Sequence, residues 1–333
     1  MHLLSPLYQT GSTLHRLLHR WRLKETTASP LPTICVGNLV CGGSGKTPLV
    51  AYLADCLGGD RRVAILSRGY RSKAEKGQHS AIMCDGHGPI LSARDGGDEP
   101  HLLARHCPRA LILVNKRRVQ SAHLAKEMGA KLILLDDGMQ HFALQPNWTV
   151  VVAAADDPLG QRAPFLREPL AQLKRADIIV LHRVKGPEPF ARAQETLAPY
   201  SSAPICGTTL HLSEAIDAKG GTRSLKGMTI AAFCGLGNPE GFFADLKRCG
   251  ARCVSQMKLP DHVSVSPKRL NQFIESSLKK GAEAIVCTEK DWVKLDPFFA
   301  QSAPLAYVRA RLEIAYGKSG FASWLGQVNK GIL

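Results

Sequence analysis

"VGNLVCGGSGKTPLV", residues 36–50, decides how the chain is to be read. An apolar, β-rich approach ("TICVGNL", 33–39) runs into Gly42, Gly43, Ser44 and Gly45. The continuation "KTPLVAYLADCL" places apolar residues at 49, 50, 53, 54 and 57, the spacing of one helix face. A phosphate loop needs a strand that stops abruptly, small residues whose N–H groups turn inward, and a helix N-terminus facing the anion. Residues 33–57 meet all three conditions. Pro48 belongs in the first helical turn, where its missing N–H is no loss. One position departs from the GxxxxGK(S/T) pattern, because Val40 stands where the first glycine is expected. Lys46 is expected to reach the β- and γ-phosphates, and Thr47 to hold Mg²⁺ through its hydroxyl.

A phosphate loop also requires an acidic residue at the end of a neighbouring strand. "KLILLDDGMQH" (131–141) supplies Asp136 and Asp137 after four apolar residues. A capping carboxylate before a turn is the alternative, but the C-terminal ends of strands are where α/β sites are built. A guanine-reading NKxD is absent, since "NKRR" (115–118) has Arg118 at the acidic position, and no DxxG begins at Asp136. ATP is therefore the expected nucleotide.

Around this stretch the chain alternates β-rich runs (62–67, 80–84, 110–114, 131–136, 149–154 and 177–182) with helical segments. Nearly continuous apolar strands are buried on both faces, which predicts an α/β fold of the P-loop NTPase type, a mainly parallel sheet flanked by helices. A second series starts near 228: "MTIAAFCGLGNP", a helix over about 239–249, "RCVSQMKL", a helix after Ser266, "EAIVCTEKD" and "PLAYVRARL". This predicts a smaller α/β domain over 213–333 behind a P-loop domain over 28–212, with the polar, glycine-rich stretch 211–227 as the join.

Lys and Arg outnumber Asp and Glu by 43 to 28, a net charge of +15, so an acidic partner is expected. Nucleic acid, an anionic membrane and a phosphorylated substrate all fit that balance, but no aromatic-rich RNA motif or DNA-reading helix accompanies it, and nucleic acid is not expected. Ten cysteines without a CxxC pair suggest reduced thiols in a cytosolic compartment. Before Glu25, the first acidic residue, stand Arg16, Arg20, Arg22 and Lys24, and Leu14, Leu17, Leu18 and Trp21 share one helix face. No run approaches the roughly 18 apolar residues of a bilayer span. Residues 1–27 thus form either an amphipathic helix on an anionic membrane or a helix docked on its own domain.

The acceptor side is less determined by spacing. In "GGDEPHLLARHCP", Asp98 could cap a helix with Pro100 in its first turn or accept a proton from an acceptor hydroxyl. His262 in "PDH" (260–262) is by itself an ordinary surface histidine.

Taken together, "VGNLVCGGSGKTP", "LSRGY" (66–70), "GDEP" (97–100), "LDDGMQH" (135–141), "LREPL" (166–170), "PDH" and "TEKD" (288–291) resemble the tetraacyldisaccharide 4'-kinase family of the lipid A pathway. They occur in this order across nearly the whole chain, and the family's loop also lacks the first Walker glycine. The resemblance implies transfer of the ATP γ-phosphate to the 4'-hydroxyl of tetraacyldisaccharide 1-phosphate, giving lipid IVA. It implies a peripheral, monomeric enzyme on the cytoplasmic face of the bacterial inner membrane, which favours the membrane role of residues 1–27. It places the general base on Asp98 and its dyad partner on His262, with the two domains closing over the substrates. Gly42, Gly43, Ser44, Gly45, Lys46 and Thr47 then bind ATP. Thr47, Asp136, Asp137 and Glu168 lie on the metal side, Arg118 meets phosphate in catalysis, and Tyr70 and Arg167 line the acceptor. Glu289 or Asp291 could touch nucleotide or merely close a turn. One position departs from the family, Val263 standing where a second histidine commonly follows "PDH". The competing class is a membrane-recruited P-loop ATPase that acts on a protein partner.

Overall fold

The computed structural model describes residues 26–40, 45–162, 166–260, 263–295 and 303–332. The expected membrane helix falls almost wholly outside these residues, and so do Gly42, Gly43, Ser44 and His262. Thr27 is described, and it already belongs to a two-residue strand, Thr27–Ala28, paired in parallel with Leu144–Gln145.

Contacts divide the chain into two compact units. The first comprises the described residues up to Thr209 together with those from Leu312 onward; the second runs from Leu210 to Arg311. The boundary lies three residues from the expected one, but the C-terminal segment corrects the expectation. Helix Lys318–Ile332 belongs to the first unit, because Phe321, Trp324 and Val328 fill the same apolar layer as Ile34, Val36, Leu49 and Leu53.

In the first unit, strand Thr33–Gly37 lies between Leu132–Asp136 and Trp148–Ala154. On the first side follow Val63–Ser67, Leu111–Val114 and the edge strand Ala81–Asp85. On the other side follow Ile178–His182 and Ile205–Gly207. These pairs are parallel except that of the edge strand. The chain therefore winds first to one side of Thr33–Gly37 and then to the other, so this strand stands at the switch point where α/β sheets bind ligands. Alternate residues explain the unbroken apolar runs. Ile34, Val36 and Ile65 face helices Lys46–Gly58 and Asp98–His106, whereas Cys35, Ala64 and Leu66 face the layer of helices Arg118–Glu127 and Pro187–Leu197.

The second unit repeats the principle on a smaller scale. Its parallel strands Arg252–Lys258, Thr229–Cys234, Ala284–Thr288 and the start of Leu305–Tyr316 lie in that order. Phe242, Phe243 and Leu246 of helix Pro239–Arg248 cover one face, and Leu270 and Ile274 of helix Pro267–Lys279 cover the other. The stretch expected to be a plain join is instead a hairpin: strand Ile205–Asp217 turns back through Gly220 and pairs antiparallel with Thr222–Ser224.

Candidate active site

The phosphate-loop helix starts at Lys46, with Gly45 at its N-cap in the left-handed region at φ 76. Leu49, Val50, Leu53, Ala54 and Leu57 are its buried residues, the five expected from the spacing. Val40 is explained by what it touches. It pairs antiparallel with Leu166, and its side chain packs on Gly160, where an added Cβ would come within 2.2 Å of a Val40 methyl. Beside it the Leu39 carbonyl accepts the N–H groups of Arg167 (2.7 Å) and Glu168 (3.3 Å). The side chain that replaces a glycine thus helps fasten the "LREPL" segment against the loop.

The acidic turn is pressed onto the same strand. An added Cβ at Gly37 would meet Met139 at 2.6 Å, and one at Gly138 would meet Leu135 at 2.8 Å and Cys35 at 3.0 Å, so both glycines are required by space. Between them Asp137 adopts φ 53, a left-handed conformation that Asp tolerates better than most residues. Its carboxylate meets Lys46 Nζ at 3.3 Å and Arg167 Nη1 at 2.8 Å. Lys46 Nζ also donates to the side-chain oxygen of buried Asn38 at 3.0 Å. Burial acts to raise the Asp137 pKa, but Lys46 and Arg167 together outweigh it and the net shift is downward.

Asp136 is in the opposite condition. Its carboxylate accepts from Ser67 Oγ at 3.0 Å and is pushed up to about 7, first by burial and then by the charges of Glu99 and Asp137. Arg118 begins its helix buried, with Nη2 3.5 Å from the Asp136 carbonyl and its Nε without a hydrogen-bond partner among the described residues. Glu168 is fully buried.

Asp98 is not a helix cap. Gly97 holds that position at φ 104, without a side-chain capping bond, and Asp98 stands half-buried in the first turn of Asp98–His106 beside Glu99. Glycine is needed there for a second reason: a Cβ at Gly97 would be 3.0 Å from Gly69 Cα, and one at Gly69 would be 2.3 Å from Val114. This close crossing of two backbones brings "LSRGY" against "GDEP". Tyr70 is 52% exposed, with the Arg71 guanidinium 5.1 Å from its ring centre.

Among the described residues no group of three His, Cys, Asp or Glu side chains is assembled to hold a metal, so Asp136, Asp137 and Glu168 do not form one acidic cage. The donors still suit Mg²⁺, which commonly takes one or two carboxylates and completes its shell with water and substrate phosphates. Asp136, desolvated and flanked by other acids, is a carboxylate that a cation would relieve.

In the "TEKD" segment Asp291 bonds within its own unit, as a turn-closing residue does. Asp291 Oδ2 accepts from Gly235 N at 2.9 Å and Thr288 Oγ1 at 2.6 Å, and Lys294 Nζ lies 3.7 Å from Oδ1. Thr288 caps the short helix Glu289–Trp292 through the Asp291 N–H. Both acids are buried, and Glu289 faces Arg309 at 3.5 Å. Val263 is 45% exposed, and its N–H donates to the Pro260 carbonyl.

Sequence reasoning missed Asn38, Ser67 and His182. Each is a polar residue that ends or directly follows an apolar strand of the first unit, and that interruption is the signal that could have found them.

The family model described as tetraacyldisaccharide-1-P 4'-kinase matches residues 1–330. The tetraacyldisaccharide 4'-kinase of Syntrophotalea carbinolica is 36% identical over 323 residues, covering 94% of this chain and 87% of that protein. The enzyme of the same name from Halothermothrix orenii is 33% identical over 313 residues, covering 88% and 81%. Among solved structures, the "apo" form of LpxK from Aquifex aeolicus in complex with ATP superposes with a TM-score of 0.74 at 27% identity, covering 98% of this chain and 97% of that one. Phosphate loop, acidic turn and relatives agree, and the chain belongs to the tetraacyldisaccharide 4'-kinase family.

Proposed function

We propose that this chain transfers the γ-phosphate of ATP to the 4'-hydroxyl of tetraacyldisaccharide 1-phosphate, leaving ADP and lipid IVA. The observation that carries the proposal is Lys46, held between Asn38 and Asp137 at the start of the glycine-led helix, with Arg167 on the same carboxylate. Phosphoryl transfer asks little covalent chemistry of a protein and much positioning of charge. Lys46, Arg118 and Arg167 supply positive charge around the transferred group, and Gly42–Thr47 cradle the β- and γ-phosphates. Asp98 takes the proton of the 4'-hydroxyl as its oxygen bonds to phosphorus and the bond from phosphorus to the ADP oxygen breaks. His262 orients Asp98 in this scheme; that role rests on the family motif, because His262 lies outside the described residues. Tyr70, exposed beside Arg71, meets the acceptor. Thr47, Asp136 and Asp137, with Glu168, would hold Mg²⁺, which would supply neutralisation of phosphate charge.

Among the described residues no helix is long and apolar enough to cross a membrane. A substrate with four acyl chains must nevertheless be met at a bilayer. The leucine-rich, basic stretch of residues 1–27 supports a peripheral monomer on the cytoplasmic face of the inner membrane.

The test is direct. Purified protein, labelled ATP, Mg²⁺ and the tetraacyl disaccharide 1-phosphate are incubated in detergent, and label is expected in the lipid. Folded protein that hydrolyses ATP on bare liposomes without labelling the lipid would favour the ATPase class instead.

A further inference from the structure

Strand Ile178–His182 ends two strands away from Thr33–Gly37, and its last side chain has no part in the chemistry above. That side chain lies against Gly45. A Cβ added to Gly45 would be 3.2 Å from His182 Cβ and Cγ and 3.3 Å from its Nδ1, so the imidazole rests on the Gly45 Cα and closes the space beside it. Gly45 is the left-handed residue immediately before Lys46. Nδ1 is sealed from solvent and makes no hydrogen bond among the described residues. A buried polar atom without a partner is uncommon and asks for an explanation.

The charged groups around the ring are Arg183, Asp156 and Lys46. Burial, aided by Arg183, pushes the imidazole down to about 4, so His182 is neutral at working pH and Nδ1 can accept or donate according to tautomer. The strand end itself is firmly placed: Ala154 and His182 are in register, and the Ala155 N–H donates to the His182 carbonyl at 3.2 Å. A rigid element thus presents a dry, neutral hydrogen-bonding edge to the one glycine that sets where Lys46 begins.

We propose that His182 is a positioning residue of the nucleotide site, its ring holding Gly45 in the left-handed turn that sets where Lys46 begins and its Nδ1 edge supplying a hydrogen bond beside Gly45 when nucleotide phosphates enter. The inference rests on ATP binding at this loop. His182 acts on ATP through Gly45 and not on the acceptor lipid.

Full-length wild type, His182→Leu and His182→Asn are compared by equilibrium ATP binding, by steady-state kinetics in both substrates and by urea unfolding. Leucine keeps the bulk without the polar edge; the asparagine amide reaches the place of Nδ1. His182→Leu is expected to raise the Kd and KM for ATP roughly five- to tenfold, the worth of one hydrogen bond, with kcat at saturating ATP and the lipid KM changed by less than about twofold. His182→Asn is expected to recover ATP binding to within about twofold of wild type. A His182→Leu protein that binds ATP like wild type overturns the proposal. So does a His182→Asn protein that unfolds like wild type yet binds ATP no better than His182→Leu. Wild type that binds no ATP at all sinks the nucleotide-site reading, and this proposal with it.

Discussion

Two acidic strand ends in this molecule have the same topology and opposite chemistry. Asp136 ends, and Asp137 follows, the strand beside Thr33–Gly37 in the first unit, and Asp291 lies three residues past the strand beside Thr229–Cys234 in the second. Each lies at a switch point of a parallel sheet, where ligands are commonly bound, the first against Lys46 and the second against Gly235. In the second unit one oxygen of the acid is tied to the glycine turn: Gly235 N–H and Thr288 Oγ1 both donate to Asp291 Oδ2, and Lys294 Nζ lies 3.7 Å from Oδ1. In the first unit burial and neighbouring acids leave Asp136 with a pKa near neutrality, while Asp137 holds Lys46 and Arg167. An acid tied to its own glycine turn and paired with a lysine three residues on is a fastener, whereas an acid left in electrostatic tension is available to a cation or a phosphate-binding lysine. That difference supports the proposal that the first strand end is the catalytic one.

Asp98→Ala should break the comparison most severely on the catalytic side. Loss of a general base predicts a fall in kcat of roughly 10²- to 10⁴-fold with the ATP Kd changed by less than about twofold. Labelled-phosphate transfer and equilibrium ATP binding measure the two, and near wild-type turnover would remove Asp98 from the chemistry.

Asp291→Ala should break the other side. Leaving the Gly235 N–H and the Thr288 hydroxyl without their buried acceptor, beside Lys294, predicts about 2–4 kcal/mol of lost stability. Urea unfolding followed by a probe in the second unit would register it, with ATP binding unchanged.

Asp136→Asn sharpens the contrast, because the sign is reversed. The folded pKa of about 7 lies above the ordinary 3.8, so the folded chain holds the extra proton and its stability falls as pH rises between those values. Without nucleotide or metal, Asp136→Asn should therefore be more stable than wild type at pH 8. That advantage should shrink steadily toward pH 4, and urea midpoints across this range follow it. Transfer activity should be lost, and a variant less stable than wild type at pH 8 would contradict the tension assigned to Asp136.

The smallest effect is expected at Val40→Gly, which restores the standard loop pattern. Losing the packing on Gly160 and gaining backbone freedom predicts a loss of about 1–2 kcal/mol, together with a several-fold rise in the ATP KM as "LREPL" loosens.

Much of this was legible in the sequence, for reasons particular to each element. The seven strands expected between residues 33 and 182 fall within a residue or two of their positions because a strand buried on both faces writes its length as apolar residues, whereas the strand beginning at Ile205 was not expected. The helix after Gly45 and the one capped by Ser266 were readable from helical periodicity and cap chemistry, both local properties. Asp98 was not readable by spacing. Aspartate before Pro100 looks like a cap, and only the crossing of Gly97 over Gly69 shows that glycine takes that place. The C-terminal helix was assigned to its sequence neighbours, although its apolar face fits the layer around Ile34 and Leu53 some 270 residues earlier, a pairing that no local pattern records.

The sequence by itself determined the phosphate-loop pattern, the acidic strand end, a mainly parallel sheet flanked by helices and, through the order of seven short motifs, the family. Each of these depends on residue type at short spacing. Only the tertiary structure decided which carboxylates are satisfied and which are under tension, why a valine serves where a glycine was expected, and that His182 rests against Gly45. Those properties belong to groups far apart in the chain, and they exist only once burial has removed water and left each polar atom with the partners that the fold provides.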